Sequence, residues 1–103
     1  MASGIVTNLV FVRAKTGKSG KLEEALRKLA KGARDEPGSL VYEVHHSTSD
    51  NDEYCMYGIW RSQSDLDAHM KAAASQEFLE KVPELLNGGL NLRLFSPVDA
   101  LRI

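Results

Sequence analysis

This sequence is short of the features that usually announce a function. One cysteine, Cys55, in 103 residues leaves no partner for a disulfide within the chain. It has no charged activator nearby in sequence, so it is expected to serve packing. Thirteen basic and fourteen acidic residues give a formal net charge of −1, with no surplus to hold nucleic acid or an anionic membrane. No apolar run approaches the ~20 residues that a membrane span needs. "MASGIVTNLV" at the start lacks the charged region, apolar run and cleavage site of a signal peptide. The expectation is a soluble cytoplasmic protein with no nucleic-acid or membrane partner. Repeats and low-complexity segments are also missing, and the length suits a single domain spanning 1–103.

Three short stretches imitate site motifs and fail on spacing. "GKS" at 17–19 lacks the earlier glycine of a phosphate-binding loop, because position 12 is valine. "DNDE" at 50–53 has neither the glycine nor the spacing of a calcium loop. His45 and His46 are neighbours on a strand, so their side chains point to opposite faces and cannot share a metal. No metal and no other cofactor is expected.

What is present is hydrophobic patterning. "GIVTNLVFVRAK" (4–15) alternates with β-branched residues and predicts a strand. From Leu22, apolar residues recur at Ala25, Leu26, Leu29, Ala30 and Ala33, the spacing of one helical stripe. Gly32 weakens the last turn of that helix, and "EPG" at 36–38 ends it. "SLVYEVHH" (39–46) and "EYCMYGIWR" (53–61) predict two strands of a hairpin around "STSDND". Ser62 and Ser64 with Asp65 and Asp67 offer the cap and first-turn carboxylates of a second helix. Leu66, Met70, Ala73, Ala74, Phe78, Leu79 and Val82 carry its apolar face as far as Pro83. After "LNGG", the segment "LNLRLFSPV" predicts a last strand with Leu90, Leu92 and Leu94 on one side.

The order βαββαβ is the ferredoxin-like α+β arrangement, a four-stranded antiparallel sheet with two helices on one face. Both hairpin strands carry apolar or aromatic groups on both sides, and two helices cover only one sheet face. Large exposed apolar patches are rare in monomers, so a second copy of the same sheet is the expected cover, in a homodimer. A cavity between the facing sheets would then be the place for chemistry. Gly58, which leaves space, and Trp60, whose N–H can turn to a ligand, make the Tyr54, Met56, Gly58, Trp60 side the expected cavity side.

"EPGSLVYEV" followed by "YGIWRSQSDLDAHMKAAASQEFLE" resembles the antibiotic biosynthesis monooxygenase family, which includes quinol monooxygenases. The likeness rests on Glu36-Pro37-Gly38 leading to Tyr42, then Trp60, then His69 nine residues on, then Ser75 and Phe78. It implies a dimeric α/β barrel that oxidises a small quinol or hydroxylated aromatic with O2 and no cofactor. His69 is the expected base, imidazole being the neutral-pH choice. Trp60 is expected as aromatic wall and donor, with Tyr42 and Tyr57 as further donors. Asn8 and Arg93 are candidates to stabilise an oxyanion, and Met56 and Phe78 to contact substrate. Three positions depart from the family pattern. Gly58 stands where glutamate is common, Glu77 where histidine is common, and the segment from His69 to Phe78 is about three residues, or roughly one helical turn, longer than usual. Haem degradation, known in the same fold, is not expected, since His69 stands at the helix position of its tryptophan. The alternatives are a non-catalytic barrel that binds a small hydrophobic ligand and a mainly structural or stress-related dimer with a filled interior.

Overall fold

The computed structural model describes residues 4–100, so the first three residues of "MASGIVTNLV" lie outside the description. Strand β1 (Val6–Arg13), helix α1 (Ser19–Arg34) and strands β2 (Ser39–His46) and β3 (Glu53–Trp60) come first. They are followed by α2 (Gln63–Lys71), α3 (Ala73–Leu85) and β4 (Asn91–Phe95). The sheet runs β2-β3-β1-β4 and every pairing is antiparallel. This is the expected ferredoxin-like α+β fold, with the second helix divided in two.

Strand alternation sends Asn8, Val10, Val12, Tyr42, Tyr54, Met56 and Trp60 to one side, where all are buried. The six residues of the predicted α1 stripe, Leu22, Ala25, Leu26, Leu29, Ala30 and Ala33, are all buried in the same core. Leu66, Phe78 and Leu85 complete it from α2 and α3. A buried leucine contributes about 1.5–3 kcal/mol relative to an exposed one, so this stripe is a main source of stability. The helices therefore cover the even-numbered face of β1. Thr7, Leu9, Phe11, Cys55, Tyr57 and Ile59 occupy the other face, which no helix covers. Partial burial raises the Cys55 thiol above its ordinary pKa.

Packing adds a role for Gly32 and corrects one local reading. At Gly32 the helices approach closely: a Cβ there would lie 2.7 Å from Ala74 Cβ on α3. The continuous second helix breaks at Ala72, whose backbone is extended with φ −69° and ψ 159°. Ser75 Oγ donates to the His69 carbonyl at 2.6 Å, and the Gln76 side chain donates to the Met70 carbonyl at 3.0 Å. Those carbonyls at the end of α2 are satisfied from α3, so the helix can stop there. Ser62 caps α2 as expected, accepting from the Asp65 amide at 3.1 Å. Among the described helices, none is long and apolar enough to cross a membrane.

Candidate active site

A cavity with a mainly apolar lining lies between the helices and the sheet, and it measures about 230 Å³. The Tyr54, Met56, Gly58, Trp60 face is thus the one the helices cover, which corrects the expectation that it lies opposite a partner sheet. Val10 and Met56 from the sheet and Leu29 and Phe78 from the helices supply its apolar walls. Met70, Leu79, Leu90 and Leu92 also line it and are partly exposed, so they form an apolar rim. Among the described residues, four polar side chains reach it: Asn8, Tyr42, His69 and Ser75.

His69 is placed by the break after α2, in whose last turn it sits. Its ring is 4% exposed and stacks on Trp60 with centroids 4.5 Å apart. Nδ1 lies 2.6 Å from Glu36 Oε1, a carboxylate that is itself mostly buried, and 3.5 Å from Ser75 Oγ. Nε2 has no protein hydrogen-bond partner among the described residues and is left for the cavity that the ring lines. Glu36 was legible only as part of the "EPG" turn, and no spacing rule connects it to His69, 33 residues away.

Tyr42 lies beside this ring, with centroids 5.4 Å apart. Burial, helped by the Glu36 carboxylate, pushes its hydroxyl well above the ordinary tyrosine pKa. It stays protonated and donates to Met56 Sδ at 3.6 Å, a weak acceptor that a ligand oxygen would outcompete. Asn8 is 1% exposed, and its Oδ1 accepts the Trp60 indole N–H at 3.0 Å. An indole nitrogen can only donate, so this bond fixes the amide with its oxygen toward Trp60 and its NH2 left for the cavity.

Six of the eight sequence candidates are thus close together: Asn8, Tyr42, Met56, Trp60, His69 and Phe78. Trp60 differs in role from the expectation. It is fully buried behind His69, does not line the cavity, and its N–H is engaged by Asn8 rather than free for a ligand. Tyr57 and Arg93 are not brought to the site. Their register opposite Leu9 puts both on the open sheet face, where the Arg93 guanidinium sits 5.7 Å from the Phe95 ring. Of the departures from the family pattern, Gly58 is explained by packing. A Cβ there would lie 2.2 Å from Asn8 Oδ1 and 2.8 Å from Trp60 Nε1, so glycine makes room for their hydrogen bond. Glu77 points away and pairs with Lys28 of α1.

A larger groove of about 430 Å³ runs between α1 and the β2 edge, lined by Glu23, Arg27, Arg34, His46 and Tyr54. Each of these is held by the protein itself. Arg27 pairs with Glu23, Tyr54 donates to Glu23, Arg34 donates to the Tyr42 carbonyl, and His46 bonds the Asn51 carbonyl. It has none of the convergence seen around His69.

The fold and this cavity define a class of small α+β proteins, and comparison with known proteins identifies which. Residues 5–81 match the model of the antibiotic biosynthesis monooxygenase family, and the chain belongs to that family. A Pseudomonas aeruginosa protein shares the fold with a TM-score of 0.88 at 24% identity, over 96% of this chain and 99% of that one. A Bacteroides thetaiotaomicron protein, described as a "possible oxidoreductase", superposes with a TM-score of 0.83 at 25% identity, covering 92% and 99%. A Nitrosomonas europaea protein, provisionally named an antibiotic biosynthesis monooxygenase, gives 0.89 at 18% identity, covering 95% and 94%. An uncharacterised Synechocystis protein is 27% identical over 61% of this chain, and the match spans 43% of that relative's length.

Proposed function

We propose that the protein is a cofactor-independent monooxygenase that oxidises a small neutral quinol or hydroxylated aromatic with O2. The observation that carries this reading is a histidine whose Nε2 is left unpaired at a small apolar cavity, beside the Tyr42 hydroxyl and the Asn8 amide. Among the described residues no lysine or arginine lines that cavity, and a carboxylate is buried next to it, which favours a neutral substrate over an anionic one.

The chemistry asks for three things. His69 Nε2 takes the proton of a ring hydroxyl, a step that general-base catalysis accelerates about 10²–10⁴-fold. Asn8 N–H and Tyr42 O–H donate to the oxygen on which charge develops. The electron-rich anion passes one electron to O2, and the resulting radical pair couples to form a C–O bond and a hydroperoxide. The proton held by His69 completes that hydroperoxide; loss of the C–H proton from the same carbon as the O–O bond breaks leaves a new carbonyl in the product, and the departing hydroxide takes up that proton and leaves as water. One oxygen atom of O2 enters the product and the other leaves as water, so no external reductant is needed. Met56, Phe78 and Leu29 exclude water while the anion and radicals exist.

The protein is further proposed to work as a homodimer joined through the open sheet face. Phe11 and Phe95 on that face are substantially exposed, and Leu92 and Leu94 of β4 are exposed on its other side. The test of function is oxygen uptake by purified protein with a panel of quinols and naphthols, with product mass reporting one added oxygen. Binding without oxygen uptake would replace this reading with that of a ligand-binding barrel.

A further inference from the structure

We infer that Glu36 is a positioning residue that sets the tautomer of His69, so that Nε2 presents a lone pair to the cavity. The inference rests on the reading of His69 as proton acceptor, but the tautomer itself can be measured without any substrate.

Glu36 occupies the turn between α1 and β2. Its amide donates to the Ala33 carbonyl at 3.1 Å and its carbonyl accepts from Ser39 at 3.2 Å, so both ends of the residue are held. Gly38, at φ +78°, lets the chain reverse there against Asp65 of α2. The carboxylate is thereby delivered to the last turn of a helix 33 residues later, at 2.6 Å from Nδ1. A carboxylate can only accept, so the hydrogen in that contact belongs to Nδ1. Ser75 Oγ, at 3.5 Å, does not compete as a donor, because its hydrogen is directed to the His69 carbonyl at 2.6 Å. Nδ1 is thus faced by acceptors alone. The Trp60 ring, stacked at 29° and 4.5 Å, holds the imidazole plane.

Without Glu36, only the Ser75 oxygen at 3.5 Å would be left to favour a proton on Nδ1. A histidine with the proton on Nε2 would present a donor to the cavity, which is the wrong group for taking a proton from a hydroxyl. The same carboxylate stabilises the imidazolium once the proton has moved, as the carboxylate of a serine-hydrolase triad does. Among the described residues, Tyr42 is the other titratable group seen against this pair, and its raised pKa keeps it neutral, so Glu36 is the anion that His69 meets there.

The experiment is nitrogen-15 NMR of the imidazole at neutral pH in wild type, Glu36→Gln and Glu36→Asp, with turnover of an accepted quinol measured alongside. Wild type should show a protonated Nδ1 and a lone-pair Nε2. Glu36→Gln keeps the shape but can donate to Nδ1, so it should shift the proton toward Nε2 and lower kcat about 10²-fold with KM little changed. Glu36→Asp should restore the wild-type nitrogen signature. A wild-type spectrum with Nε2 protonated overturns the inference even if neither variant folds, and so does a Gln variant with an unchanged tautomer. The expected tautomers without turnover of any quinol support the Glu36–His69 pairing and overturn the monooxygenase reading instead.

Discussion

The indole N–H of Trp60, at the end of β3, donates to Asn8 Oδ1 on β1 at 3.0 Å, with both side chains buried. Trp60 stands opposite Val6 in the register, and Asn8 stands opposite Gly58, so the indole reaches back along its own strand over the glycine. The bond turns a tryptophan that does not touch the cavity into the group that orients an amide that does.

Trp60→Phe should therefore act through Asn8. Removing the N–H leaves a buried amide oxygen without its donor, a loss of about 1–3 kcal/mol in urea-derived stability. The amide also becomes free to turn its oxygen to the cavity, so affinity for a hydroxylated ligand should fall as well. A variant with unchanged stability and unchanged affinity would show that the bond does neither.

Gly58→Ala tests the space beneath the indole. The added methyl would meet Asn8 Oδ1 at 2.2 Å and Trp60 Nε1 at 2.8 Å, both held in the core. The expected cost is about 1–3 kcal/mol, with a changed tryptophan emission because the indole must move. Wild-type emission and stability would mean that the pair yields easily.

His69→Ala should lower turnover of an accepted quinol by about 10²-fold or more. It should also lower stability, since the imidazole is 4% exposed and its loss leaves the Glu36 carboxylate buried without that partner. The double variant His69→Ala, Glu36→Ala should regain part of that stability. Turnover close to wild type in the single variant would remove His69 from the chemistry.

Tyr42 makes stability depend on alkaline pH. Its folded pKa is raised above the unfolded value of about 10, so its contribution is complete below that pH and is lost as pH rises through the folded value. The urea midpoint should decline above about pH 10, and Tyr42→Phe should flatten part of the slope. Tyr54, also raised by burial, accounts for some of what remains. A slope unaffected by Tyr42→Phe would assign the alkaline loss elsewhere.

Sedimentation at micromolar concentration should show a dimer, and Phe11→Glu on the open face should shift it toward monomer. A stable wild-type monomer would remove the proposed assembly but not the cavity, which one chain forms by itself.

The fold was legible because it depends on periodicity, and periodicity is local. The α1 stripe from Leu22 to Ala33 and the alternation through β1 and β3 each state which side must leave water, and the buried residues follow them. The break at Ala72 could not be read in this way. "KAAAS" is favourable for a helix, and the reasons to stop, Ser75 and Gln76 satisfying carbonyls at the end of α2, appear only when α3 has packed.

Sequence by itself determined the element order apart from the break at Ala72, the alternation within β3 that puts Met56 and Trp60 on one side, and the candidacy of Asn8, Tyr42 and His69. Tertiary structure decided where each of them sits and which groups it meets. It set Glu36 against Nδ1, turned the Trp60 N–H inward to Asn8, excluded Tyr57 and Arg93 from the site, and put the cavity under the helices rather than between sheets. The physical reason is that side-chain hydrogen bonds join partners 33 and 52 residues apart, at separations no local pattern encodes.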